Sequence, residues 1–272
     1  MSAAPKKYME LIKQLREITG AGMVDCKKAL DEAGNDLQKA VEILRKKGIA
    51  KAAKRGDRTT NEGVVKVAVN EAGNEAYIFG ITSETDFVSR NEKFQNFAEQ
   101  AMKLALSARP ENLEAFVNLP LEQGSLKENL EILSGTIGEK MEIKGFARLQ
   151  GASLAAYSHL GGKLGVLLSL DQPGKTDLAL DLAMQVAAAN PKYVDSSQVE
   201  AGELDKEREI YRVQLLKEGK PEAMIEKILE GKVSKYYSEV CLIDQEYIKD
   251  DKKKVKDILE GSKVLGFHRL SI

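Results

Sequence analysis

The sequence predicts an α+β chain of several domains: a three-helix head, two cores built on small antiparallel sheets, and an antiparallel helical hairpin inserted into the second core. Three observations predict it. Apolar residues are spaced as in helices over the first fifty positions, switch to alternation near Val65, and do so again after Ala152. Aromatic residues are few, 6% with no Trp, while Lys and Glu are plentiful, a balance that favours helices over a β-sandwich. At a typical length of about 150 residues per domain, 272 residues give about two folding units, or three if one is small.

The head comes first. Tyr8, Leu11, Ile12, Leu15 and Ile18 share one face of a helix, and Gly20 and Gly22 interrupt it. Cys26, Ala29, Leu30 and Ala33 form a second stripe, closed by Gly34. Asn35 and Gln38 have capping-box spacing and open a third helix that buries Leu37, Val41 and Leu44. Arg45, Lys46 and Lys47 suit its negative end, and Gly48 stops it. The polar, basic stretch from Lys51 to Thr60 reads as a linker.

In the first core, Val65, Val67 and Val69 alternate with Lys66 and Ala68, and Tyr77, Phe79 and Ile81 resume after a Gly73-Asn74 turn, predicting a β-hairpin. Ser89 and Glu92 then have capping-box spacing ahead of a helix burying Phe94, Phe97, Ala98, Ala101 and Leu104. Residues 110–137 read as further helix and loop. The second core repeats the order: strands at 152–159 and 163–170 joined by Leu160-Gly161-Gly162, then a helix through Leu178, Leu182, Val186 and Ala189, stopped by Asn190-Pro191. Leu204, Ile210, Val213 and Leu216 predict one further helix, and Ile225, Ile228, Leu229 and Val233 another, with Gly219-Lys220-Pro221 turning between them. Such a hairpin either contacts another chain or packs on its own sheet. Strands are expected to return at 240–248 and 263–270. The domains read as 1–55, 56–150, 151–202, the hairpin 203–238, and 239–272.

Composition excludes several function classes. With 43% apolar and 31% charged residues the chain is too apolar to be disordered. The longest run without Lys, Arg, Asp or Glu, Leu149 to Gly162, falls short of the roughly 18 apolar residues that cross a bilayer, and Met1 to Glu10 lacks a secretory apolar stretch. Cys26 and Cys241 make no disulfide framework, and with two His they make no zinc site, so a reducing, cytoplasmic setting is the default. The net charge of −1 hides an asymmetry: residues 1–58 carry 14 Lys and Arg against 8 Asp and Glu, a balance of +6, and the remainder carries −7. That basic head reads either as a solvated helical face or as a nucleic-acid surface.

Catalytic chemistry is not apparent. His159 and Ser158 point to opposite faces of a strand and form no dyad. The glycines Gly161, Gly162 and Gly165 around Lys163 lead into a strand, whereas a phosphate loop opens a helix. Lys27 and Lys28 could lower the pKa of Cys26, yet its place on the stripe suits a packed small hydrophobe better. Thr85-Asp86-Phe87-Val88 lies between a strand and a helix. There Asp86 caps a turn and Phe87 tucks beneath the helix, or Phe87 anchors a partner's pocket.

At these residues the chain resembles a known family. Leu15 to Met23 (LREITGAGM), Asp25 to Leu30 (DCKKAL) and Ala40 to Lys47 resemble the amino-terminal domain of bacterial elongation factor Ts; Thr85 to Val88 (TDFV), His159 to Val166 (HLGGKLGV) and Ala187 to Pro191 (AAANP) resemble its further signatures. The resemblance covers essentially the whole chain in order. It implies a non-catalytic guanine nucleotide exchange factor for elongation factor Tu, bound to the GDP form and retained until GTP enters, with a ubiquitin-associated-like head. It further implies that Leu15, Arg16, Thr19, Gly20 and Met23 contact the partner's GTPase domain. Thr85, Asp86, Phe87 and Val88 would displace its Mg²⁺ site, and His159, Gly161 and Gly162 would face it from the second core. The hairpin would serve dimerisation or stand as a coiled-coil insertion. No cofactor, metal, membrane or direct nucleic-acid contact is expected. Family members often carry a further helix beyond the last strand, so with the sequence stopping at Ile272 that contact is expected to be missing or replaced. The alternative is an RNA-binding translation accessory protein using the basic head.

Overall fold

The head follows its own periodicity. In the computed structural model, which describes residues 4–122 and 124–272, helix α1 (Ala4–Thr19) buries Ile12 and Leu15. Helix α2 (Met23–Glu32) buries Cys26, Ala29 and Leu30, and α3 (Leu37–Ala53) buries Ala40, with Leu37, Val41 and Leu44 half-buried around one small core. Gly20 closes α1 in the left-handed region at φ 65°, its N–H donating to the Arg16 carbonyl at 2.8 Å.

Three expectations change here. Ile18 leaves the buried stripe and is largely exposed. The cap of α3 is Asp36, whose carboxylate accepts from the Lys39 N–H at 3.1 Å. Asn35 comes one residue too early and takes a left-handed turn (φ 67°) that reverses the chain after α2. Nor does Gly48 stop α3. The helix runs on to Ala53, so Lys51, Ala52 and Ala53 are helical instead of linker.

The described residues up to 66, with Phe79–Phe146, form one compact unit; Val67–Ile78 with Ala147–Ser271 form the other. Strands β1 (Glu62–Val69) and β2 (Glu75–Ser83) are the expected hairpin, turned at Gly73 (φ 71°). The short helix α4 (Asp86–Ser89) and the long α5 (Glu92–Ala108) follow. Asn91 caps α5 by accepting from the Lys93 N–H at 2.9 Å; Ser89, expected in that role, already belongs to α4. Next come α6 (Leu113–Val117), the two-residue pair β3 (Pro120–Leu121) and β4 (Gly124–Ser125), and α7 (Leu126–Ile137), which Ser125 and Glu128 open with a complete capping box. Strand β5 (Met141–Gln150) was not expected. It pairs with β2 in a sheet ordered β1-β2-β5, so β2 is central and buried along its whole length. Covered strands lose the one-sided alternation that marks a half-exposed hairpin. Helix α3 packs along α7, and at their crossing the two backbones meet at Gly48 and Gly135.

The second unit repeats the plan. Strands β6 (Ser153–His159) and β7 (Leu164–Leu170) pair antiparallel, with Ser153 opposite Leu170 and His159 opposite Leu164. Helix α8 (Thr176–Ala189) covers them, burying Ala179, Leu182, Ala183 and Val186 against Val166, Leu168 and Leu170. Helices α9 (Ala201–Lys217) and α10 (Glu222–Val240) form the antiparallel hairpin. Its seam is Tyr211 and Leu215 against Ile225, Ile228 and Leu229. The stripe expected on α9 is therefore rotated outward, with Ile210, Val213 and Leu216 exposed. No long strand forms at 240–248: α10 ends at Val240, a 3₁₀ turn spans Leu242–Asp244, and β8 (Glu246–Tyr247) pairs with β9 (Asp250–Lys254). Strand β10 (Val264–Ser271) then pairs with β7, giving the order β10-β7-β6. In both sheets the second strand of a hairpin is central and a later strand closes the third position.

Candidate surface for a protein partner

Thr85 ends the extended chain after β2 (φ −125°, ψ 157°) and starts α4, a single helical turn. Such a turn is not stable by itself, because one turn fixes many dihedrals for few hydrogen bonds. Here it is pinned at both ends. The Thr85 N–H donates to Glu139 Oε2 at 3.0 Å and its Oγ1 donates to Glu139 Oε1 at 2.7 Å. Ser89 donates its hydroxyl to the Asp86 carbonyl at 3.0 Å, and Gln95 Nε2 donates to the Ser89 carbonyl at 2.6 Å. Asp86 pairs with Arg90 at 3.2 Å, one turn on, and Val88 and Ser89 are buried. Phe87 alone points away: it is 84% exposed. Of the two sequence readings of Phe87, the tucked one is excluded.

Glu84, one residue earlier, accepts the Lys140 N–H at 2.6 Å and both contacts of the Arg58 guanidinium at 3.1 and 3.2 Å. The Lys140 amide, seconded by Arg58, holds the Glu84 carboxyl below the usual carboxylate range. Neither Glu84 nor Glu139 was singled out in the sequence. The backbone amides they meet lie more than fifty positions away, and no local pattern marks that.

On the head, Arg16 and Met23 are exposed, as are Ile18 and Val24. Thr19 and Gly20 are half-buried; the Thr19 hydroxyl donates to the Leu15 carbonyl at 2.7 Å and accepts from the Ala21 N–H at 3.3 Å, shaping the α1–α2 corner. Leu15 has no exposed surface and lies in the head core, so it offers a partner nothing directly and serves by packing α1. Three of the head's basic residues are paired. Lys47 bonds Glu32, Lys51 bonds Asp25, and Arg45 bonds Glu128 of α7 at 3.1 Å. A cavity of about 320 Å³ lies between this corner and α5 and α7, lined in part by Thr19, Gly20, Lys93 and Thr136.

His159 is exposed at the end of β6, its ring stacked on Tyr157 at 5.8 Å with Nδ1 2.9 Å from the Tyr157 hydroxyl. Leu160, Gly161 and Gly162 all take positive φ (52°, 66° and 90°) to turn the chain into β7. Gly162 is buried in that turn, while Leu160 is 69% exposed at its tip.

The arrangement is one of presentation. Burial pushes the Cys26 thiol up, and the Cys241 thiol up to about 11, disfavouring the nucleophilic thiolate in both. Among the described residues no group of three or more His, Cys, Asp or Glu could hold a metal ion, and no helix is long and apolar enough to cross a membrane. What the surface offers is an exposed aromatic on a braced turn, an apolar helical corner and a tight glycine turn.

The family model described as Elongation factor TS matches residues 84–272, a span that opens at Glu84 and takes in Thr85–Val88, His159 and the Gly161–Gly162 turn. The chain belongs to that family, whose members are translation elongation factors with a nucleotide-exchange role in place of ordinary enzymatic catalysis.

Proposed function

We propose that this member of the elongation factor TS family binds elongation factor Tu and expels its GDP by disturbing the site where Mg²⁺ meets the phosphates, and that it stays bound until GTP enters. The observation that carries the reading is Phe87, 84% exposed on a turn anchored at both ends. An aromatic held that way costs little conformational entropy to dock and suits an apolar pocket. In this reading Phe87 enters a pocket beside the partner's Mg²⁺ site, Asp86 and Arg90 flank it, and Thr85 and Val88 hold the turn. Arg16, Thr19, Gly20 and Met23 form the head's contact with the GTPase domain. His159 and the Gly161–Gly162 turn form a second contact.

Linkage supplies the mechanism. In a GTPase the cation bridges phosphate oxygens and protein ligands, so a wedge that shifts those ligands loosens the nucleotide without touching it. The coupling is reciprocal: the ratio by which the factor loosens GDP is the ratio by which GDP loosens the factor. A thousandfold faster release lowers the dissociation barrier by about 4 kcal/mol. Burying one Phe contributes about 1.5–3 kcal/mol, so the head and the glycine turn supply the rest. The exposed Ile210, Val213, Leu216 and Met224 on the helical hairpin support a second copy of the chain as a further partner. The eight Asp and Glu interspersed among the fourteen Lys and Arg of residues 1–58 speak against direct nucleic-acid binding by the head.

The test is release of a fluorescent GDP analogue from elongation factor Tu at saturating factor. The wild-type chain accelerates release and Phe87→Ala, with an unchanged circular dichroism spectrum, does so far less. Equal rates for the two reject the role of Phe87, and no acceleration by the wild type rejects the function.

A further inference from the structure

We propose that Glu139 is a positioning residue for the Phe87 turn, and that a reciprocal exchange of backbone amides between Glu139 and Glu84 holds the turn in its docking shape before any partner arrives. The inference rests on the exchange function above.

The geometry is a double clamp. The Glu84 carboxylate accepts the N–H of Lys140 at 2.6 Å, and the Glu139 carboxylate accepts the N–H of Thr85 at 3.0 Å. Each carboxylate thus fastens the backbone of the residue that follows the other. The Thr85 hydroxyl adds a second bond to Glu139 at 2.7 Å, and Arg58 adds its guanidinium to Glu84. Hydrogen bonds to carboxylates are stronger and shorter than neutral ones, so two at Thr85 and one at Lys140 resist fraying. Without such donors, two neighbouring carboxylates would repel one another.

The clamp is itself braced. Ser134 of α7 donates its hydroxyl to the Glu139 carbonyl at 2.5 Å, and Arg55 Nη1 donates to the Ser134 carbonyl at 3.2 Å. Lys140 Nζ donates to the carbonyls of Gly56 and Arg58 at 2.8 and 2.9 Å. The stretch just beyond α3, the turn after α7 and the start of α4 therefore form one hydrogen-bonded patch. Phe87 stands two residues from its edge. A push on Phe87 is carried into that patch, whereas an unclamped four-residue turn yields to it.

Two measurements on the full chain test this: amide hydrogen exchange of Thr85 in the free protein, and the maximal rate of fluorescent-GDP release from elongation factor Tu. Glu139→Ala is expected to speed Thr85 exchange about tenfold or more and to lower the maximal release rate by a similar factor, with far-ultraviolet circular dichroism unchanged. Glu139→Gln, which keeps an acceptor, restores part of both. Thr85→Val removes only the hydroxyl bond and gives the same pattern more weakly, which keeps the test available if Glu139→Ala does not fold. A residue-85 amide that exchanges no faster in Glu139→Ala than in the wild type overturns the clamp; if that variant does not fold, unchanged residue-85 exchange in Thr85→Val, after correction for the intrinsic rate of valine, does so. A freed amide with an undiminished release rate overturns the positioning role while leaving the exchange function standing. A wild-type chain that fails to accelerate release at all overturns the function, and the positioning role with it.

Discussion

Gly48 of α3 and Gly135 of α7 meet backbone to backbone: a Cβ built on Gly135 would lie 2.5 Å from the Gly48 Cα and 2.7 Å from its carbonyl oxygen. The relationship is one-sided, because a Cβ on Gly48 would meet nothing nearer than the Ile132 Cα at 3.5 Å. Gly48→Ala should accordingly be neutral or stabilise by up to about 1 kcal/mol, the helical advantage of Ala over Gly. Gly135→Ala should destabilise by about 1–3 kcal/mol, since backbone has to move. Urea unfolding of the two variants checks the asymmetry; equal effects would contradict the packing described.

Leu15 and Phe87 both belong to motifs shared with the family resemblance, yet they should separate in stability. Leu15 is fully buried, so Leu15→Ala should cost about 2–5 kcal/mol and loosen the head. Phe87→Ala should change stability by less than about 0.5 kcal/mol, because so little of the ring is buried. Thermal unfolding followed by circular dichroism distinguishes them, and a destabilised Phe87→Ala would mean the ring is packed after all.

Glu203 at the base of the helical hairpin accepts from the hydroxyls of Tyr193 at 2.5 Å and Tyr236 at 2.6 Å, and these bonds hold its carboxyl down to about 2. A carboxyl depressed on folding stabilises above its ordinary pKa of about 4.3 and loses that contribution as pH falls toward its folded value. The difference in urea midpoint between wild type and Glu203→Gln should therefore be largest above about pH 5 and shrink between about pH 4 and pH 2. A difference that stays constant across that window would show that the ionised carboxylate is not what the tyrosines hold.

Lys27 and Lys28 lie exposed on α2, beside the corner formed by Met23 and Val24. If charge steers the head to its partner, Lys27→Glu with Lys28→Glu should slow association with GDP-loaded elongation factor Tu by about three- to tenfold at low salt. The gap should close as salt is added, because screening removes the long-range field. Stopped-flow association across a salt series measures it, and a gap independent of salt would point to contact loss instead of steering.

Features decided within a few residues of chain could be read before the fold was known. The stripes through Ile12 and Leu15 and through Cys26, Ala29 and Leu30, the Gly73 turn, the Gly161–Gly162 turn and the stop at Asn190-Pro191 are all local patterns, and the elements they mark are present. The Thr85–Val88 motif was legible too, but whether Phe87 faced in or out was not. Contacts between distant segments settled the rest. Gly48 looked like a helix stop because glycine usually is one; with Gly135 against it, it is instead a crossing point inside a continuous helix. Strand β5 and the outward rotation of Ile210, Val213 and Leu216 depend on which surfaces find partners, and many strands and helix faces offer the same apolar pattern. The bonds that Thr85 donates to Glu139 span 54 residues, and the one that Lys140 donates to Glu84 spans 56. A carboxylate in sequence carries no sign of which amide it will meet; only chain closure brings the two together, and here it bonds the start of the Phe87 turn to the segment after α7.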